Sequence, residues 1–140
     1  MMTLQAPDHI EVENGQAVAE FLSSHPKIAW VNYCGLRGDR YHALAEKYLP
    51  NGSCGVVSFG VKGGRKAAET FMKHLELAAI ETHVADARTC CLHPASSTHR
   101  QMNDEQLVAA GVGPDLVRMS CGLEDSRDLI ADIDQALAQV

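Results

Sequence analysis

The order of segments along the chain predicts an α+β domain, a two-layer α/β sandwich. Three observations carry that expectation. Strand-type apolar runs alternate with helix-type periodicity in the order α-β-α-β-α-β-β-α-β-α. Glycines and prolines punctuate the junctions between them. The 140 residues are 46% hydrophobic, enough for one core.

The elements follow from the residues in order. Residues 1–13 are polar and aperiodic, so they read as a tail or linker, and 14–140 as a single domain. Asn14 can cap a helix that continues through Val18, Phe21 and Leu22 to about Ser24. After Pro26, residues 27–33 read as a strand through Ile28, Ala29, Trp30 and Val31. Residues 41–48 fit a short helix, closed by the turn Pro50-Asn51-Gly52. Val56, Val57, Phe59 and Val61 make 55–61 the strongest strand. Gly63-Gly64 ends it, and a helix over 65–77 presents Ala67, Ala68, Phe71, Met72 and Leu75 on one side. Two short strands are expected at 79–84 and 89–93. A short helix starts at Asn103 or Asp104 and closes at Gly111. A strand over 116–120 follows, then a helix capped by Asp125 or Ser126 with Leu129, Ile130, Ile133, Ala136 and Leu137 on its apolar face.

Composition excludes several functions. The net charge is −6 and no Lys/Arg stripe forms, so nucleic acid is not an expected partner. No apolar run approaches the roughly 20 residues of a membrane helix. The first residues carry Asp8, Glu11 and Glu13 instead of a basic and then apolar leader, and the expected compartment is the cytoplasm. The five cysteines have no CxxC spacing, so neither a zinc site nor a disulfide framework is indicated.

Three motifs invite chemistry. Gly60-Val61-Lys62-Gly63-Gly64 matches no phosphate-loop spacing and reads as a strand-to-helix turn that needs positive φ. His93-Pro94-Ala95-Ser96-Ser97-Thr98-His99 lacks the i, i+4 spacing of a helical metal pair, and no GxSxG elbow accompanies it. It reads as a polar loop bonding its own backbone. Arg118 stands in an apolar strand, where it either meets an anion, faces solvent by alternation, or pairs with Glu124 or Asp125. Cys90 and Cys91 read as small core residues.

Taken together, certain residues resemble a known family. Trp30-Val31-Asn32-Tyr33, Gly35-Leu36, Tyr48-Leu49-Pro50, Ser58-Phe59-Gly60-Val61-Lys62-Gly63-Gly64, His93-Pro94-Ala95-Ser96 with Thr98-His99, and Arg118 through Gly122 to Asp125 look like the C-terminal part of the Cys/Met-metabolism pyridoxal-phosphate (PLP) enzymes. The FGVKGG stretch and Ala109 to Val112 resemble the O-acetylhomoserine sulfhydrylase branch.

The resemblance implies the small C-terminal domain of PLP fold type I. Its partner would be a PLP-binding large domain of the same enzyme, which carries the Schiff-base lysine. The full-length enzyme would be a homo-oligomer acting on an O-acetylhomoserine-like amino acid in methionine and cysteine biosynthesis. Arg118 would bind the substrate α-carboxylate, Thr98 would support it, and His83 stands where the family usually has Asn or Ser touching the same group. Ala85 replaces a usual glycine, and Cys34 a usual proline. No segment resembles the PLP-lysine region, so this chain is expected to hold no catalytic, cofactor-binding or metal-ligating residue of its own. The rival readings are a free-standing, non-catalytic module that binds amino acids or a protein, and a small enzyme using Cys or His.

Overall fold

The computed structural model describes residues 7–140. Its elements are α1 (Pro7–Ser24), β1 (Ile28–Asn32), α2 (His42–Tyr48), β2 (Val56–Val61), α3 (Gly64–Lys73), β3 (Ala79–Ile80), β4 (Cys90–Leu92), α4 (Asp104–Ala109), β5 (Leu116–Ser120) and α5 (Ser126–Ala138), with a 3-10 turn at Pro94–Ser96. The strands form one five-stranded sheet in the order β1-β2-β5-β4-β3. All pairings are antiparallel except β3 with β4.

Alternation along the strands sorts the sheet into two faces. The rows Val31–Phe59–Val117 and Val57–Met119–Cys91 join the buried cluster formed with α1, α3 and α5. Helix residues Val18, Leu22, Ala68, Phe71, Leu129, Ile133 and Leu137 fill that layer, and Phe59 meets Phe71 edge-on at 5.7 Å. Full burial of each of these side chains larger than alanine contributes about 1.5–3 kcal/mol. The opposite face carries the row Asn32–Ser58–Arg118–Leu92. This is the two-layer sandwich expected from the segment order.

Three expectations need correction. Residues 7–13, read as tail, are helical, while residues 1–6 lie outside the described residues. Asn14 is no cap. It is 4% exposed inside α1, and its Nδ2 donates to the carbonyls of Gly122 at 2.9 Å and Glu124 at 2.7 Å. The early turns of α1 are thus anchored by a polar side chain rather than an apolar stripe, which hid them from periodicity. Helix α3 also ends early, at Lys73. Asp132, 6% exposed on the apolar side of α5, accepts from the N–H groups of Glu76, Leu77 and Ala78 at 2.8–3.0 Å and turns the chain into β3.

Other local expectations hold. Gly63 and Gly64 have φ of 105° and 69°, the left-handed turn anticipated before α3. Asn103 and Gln106 form a reciprocal capping box on α4. Asp125 caps α5 by accepting from Arg127 N–H. Among the described residues no helix is long and apolar enough to cross a membrane.

Candidate functional site

Strand β5 places Arg118 between Ser58 and Leu92, on the face away from the helices. The side chain folds over the segment that follows β3. Its Nη2 donates to the Thr82 carbonyl at 2.7 Å and approaches the His83 carbonyl at 3.5 Å. Its Nε is buried with no hydrogen-bond partner among the described residues. The pairings considered with Glu124 and Asp125 do not form. Glu124 is taken by Thr89, and Asp125 by Arg127.

The segment 81–88 was expected to continue a strand to Val84, yet only Ala79–Ile80 is extended in the sheet. Ala85 has φ 56°, a left-handed backbone that breaks a strand. The loop is instead clamped by alternate residues of β5 and its exit. Ser120 Oγ accepts from Ala85 N–H at 3.2 Å. The Glu124 carboxylate accepts from Thr89 N–H at 2.7 Å and from its hydroxyl at 2.8 Å. Gly122 N–H donates to Thr89 Oγ1 at 2.9 Å, and Leu123 N–H to the Ala87 carbonyl at 2.9 Å. A Cβ on Gly122 would collide with the backbone of Ala87, Arg88 and Thr89. The sequence reading singled out the arginine of this motif but missed its Ser, Gly and Glu as loop clamps. Their spacing of two, all reaching one loop, was the available signal.

Charges fix the outer side of the same loop. Glu81 takes His83 Nδ1 at 2.8 Å and Arg88 Nη2 at 3.0 Å. The Glu81 carboxylate, and then Asp86, raise the Arg88 guanidinium above its ordinary range, while the Arg88 N–H holds the Asp86 carboxyl below its own. Glu81, Asp86 and Cys90 bring ligand-type atoms within 4.8 Å of one another, and the Arg88 guanidinium already lies against both carboxylates.

The three anticipated residues are not equally placed. His83 lends its backbone carbonyl to Arg118, while its ring, 65% exposed, turns to Glu81. Thr98 is exposed, and its hydroxyl pairs with His99 Nδ1 at 2.9 Å. Among the described residues no hydrogen bond joins Thr98 to Arg118. The His93 loop does begin beside the arginine, because Leu92 is its sheet neighbour. His93 is 2% exposed, with Nε2 on the Pro114 carbonyl at 2.9 Å and Nδ1 on Ser96 Oγ at 2.8 Å. Ser97 Oγ donates to the His93 carbonyl at 2.6 Å, as a self-bonded loop requires. A cavity of about 440 Å³ opens beside the His93 loop, lined by Leu92, His93, Ser96 and Ser97 together with Glu69, Met72 and Lys73 of α3 and Ile80, Glu81 and Thr82; Arg118 does not line it.

A thiolate enzyme finds little support. Burial pushes the Cys121 thiol up to about 12 and the Cys91 thiol well above its ordinary range.

The profile of the Cys/Met metabolism PLP-dependent enzymes matches residues 1–138. The chain belongs to that family. It is 43% identical over 137 residues to the O-acetyl-L-homoserine sulfhydrylase of Leptospira meyeri, covering 96% of this chain and 31% of that protein. It is 45% identical over 126 residues to the homocysteine synthase of Schizosaccharomyces pombe, covering 90% and 29%. A crystal structure described as an O-acetylhomoserine (thiol)-lyase from Campylobacter jejuni superposes with a TM-score of 0.89 at 38% identity, over 97% of this chain and 32% of that one. That structure carries a pyridoxyl-lysine phosphate adduct. The Cys/Met metabolism PLP-dependent fold is therefore shared, and the chain spans about a third of the length of the relatives it matches.

Proposed function

We propose that this chain is the C-terminal, substrate-carboxylate-binding domain of an O-acetylhomoserine sulfhydrylase-type enzyme, inactive without the PLP-lysine domain. The observation that carries the reading is Arg118. Its guanidinium is half committed, held at Nη2 by Thr82 and orphaned at Nε. A buried donor without a partner costs about 1–3 kcal/mol, so a turn of the side chain that brought Nε to a carboxylate would be favoured. A carboxylate matches the guanidinium fork best. The residues present thus fit the substrate end of a PLP site.

Bound PLP supplies the electron sink for bond cleavage at the substrate Cα. The residues of this chain bind and orient. Arg118 holds the carboxylate, and so sets which Cα bond faces the cofactor. Ser120, Gly122 and Glu124 keep the Thr82 carbonyl where it steadies the guanidinium. The buried His93 side chain fixes the adjoining loop through Pro114 and Ser96. His83 sits beside the carboxylate, and Thr98 supports that site from the adjoining His93 loop, shaping preference for an O-acetylhomoserine-like substrate. The partner is the large domain of the same cytoplasmic, homo-oligomeric enzyme.

Reconstitution tests this. The chain mixed with PLP alone should show no absorbance of a lysine-bound cofactor and no sulfhydrylation. The chain joined to the PLP-lysine domain should turn over O-acetylhomoserine and sulfide. Turnover by the chain alone, or none by the joined protein, would sink the reading.

A further inference from the structure

Arg65 stands where a helix does not favour a cation. It is the second residue of α3, in a first turn that holds no acidic side chain. A positive charge there opposes the helix dipole. Its side chain leaves the helix and reaches two other segments.

One guanidinium grips both ends of a loop. Nη1 donates to the Ala95 carbonyl at 2.8 Å, and Nε donates to Asp104 Oδ1 at 3.0 Å, which Nη2 also meets. Ala95 is 1% exposed in the 3-10 turn, and Asp104 opens α4. Between these two points the chain runs from Ser96 to Asn103, and no residue of that stretch is buried. Thr98 lies within it. The hydrogen bonds of the stretch are local: Ser97 Oγ reaches His93, His99 N–H reaches Pro94, and Met102 N–H reaches His99. Arg65 ties the two ends to α3 and to each other.

The loop bears on Arg118 through a shared wall. His93, Ser96 and Ser97 line the same cavity as Thr82, whose carbonyl holds Arg118 Nη2. Leu92, which leads into the loop, is the sheet neighbour of Arg118.

We propose that Arg65 is a positioning residue: by bridging Ala95 to Asp104, it closes the base of the Thr98 loop and fixes that loop beside the carboxylate-binding arginine. The inference rests on the proposed role of Arg118. The rigid fork of a guanidinium serves a carbonyl and a carboxylate at once, whereas an ammonium is a point charge on a flexible stem. The loop helps to hold the amino acid equally before and during bond cleavage, so loosening it weakens binding more than turnover.

Two measurements test this. In the chain itself, trypsin cleavage after exposed Arg100, inside the loop, is compared with cleavage after exposed Arg37 and Arg40 as an internal reference. Arg65→Ala should speed the first relative to the second, whereas general loosening would speed both. In the chain joined to the PLP-lysine domain, Arg65→Ala should raise KM for O-acetylhomoserine about three- to tenfold with kcat retained. Arg65→Lys should restore part of this. Asp104→Ala should reproduce part of the loss, and the double variant should lose little more than Arg65→Ala alone. Unchanged relative cleavage, additive losses in the double variant, or a fall in kcat without a rise in KM overturns the proposal. Arg118→Ala separates it from the reading beneath it. If Arg118→Ala raises KM and Arg65→Ala does not, the bridge alone falls. If Arg118→Ala leaves KM unchanged, the carboxylate site falls, and the role of the bridge with it.

Discussion

Nη2 of Arg118 lies 2.7 Å from the Thr82 carbonyl oxygen, so the arginine on β5 and the loop after β3 form one unit. If this chain is the proposed carboxylate-binding domain, Arg118→Ala in the joined enzyme should raise KM for the amino-acid substrate roughly 10- to 100-fold, since a charged hydrogen bond contributes about 1.5–3 kcal/mol and each 1.4 kcal/mol is tenfold. Arg118→Lys should recover only part, because an ammonium lacks the fork. Steady-state kinetics with varied O-acetylhomoserine would check this, and an unchanged KM would remove Arg118 from the carboxylate site.

Ala85 is the one non-glycine residue with positive φ among the described residues. Left-handed backbone costs an L-residue about 1–2 kcal/mol, against about 0.5–1 kcal/mol for the extra freedom of glycine. Ala85→Gly should therefore stabilise the fold by roughly 0.5 kcal/mol, and Ala85→Val should destabilise it by more than that. Urea unfolding midpoints at equal m-value decide it. A less stable glycine variant would mean that the loop relaxes its strain elsewhere.

Glu124 accepts from both hydrogen-bond donors of Thr89, which is fully buried. Glu124→Ala leaves these donors unpaired and should cost about 2–4 kcal/mol. The loss should also speed amide exchange across 82–89 ahead of the helices. Uniform exchange throughout the chain would show instead that Glu124 supports the whole core.

Alkaline stability follows from Tyr33. Burial is the main cause that pushes its phenol from 10.0 to about 12. The folded state therefore keeps a proton that the unfolded chain gives up near pH 10. This contribution is complete below that pH and lost as pH climbs to about 12. Cys121, raised from 9.0 to about 12, acts in the same direction from lower pH. Unfolding free energy should fall across this window, and Tyr33→Phe should make the fall shallower. Equal slopes in the two proteins would exclude the phenol as the source.

The helices and main strands were legible because their side chains obey the periods of 3.6 and 2. Leu116 to Ser120 and Ser126 onward fell where periodicity put them. What escaped was held by single polar groups reaching far along the chain. Asn14 grips carbonyls at 122 and 124, and Asp132 grips three amides after α3. Such bonds leave no periodic trace. At the candidate site, Arg118 was visible as a charge in an apolar strand. The loop it rests on was not, because the left-handed turn at Ala85 sits on a residue with no preference for it.

Gly122 has a further consequence for how this surface can change. Its role is to contribute no atoms, since even a methyl group would wedge apart the backbone at 87–89 and the end of β5. Evolution can retune the electrostatics around Arg118 by exchanging Glu81, His83 or Arg88 on the outer rim. The spacing between those two backbones has no such freedom, because any side chain at 122 would enter it.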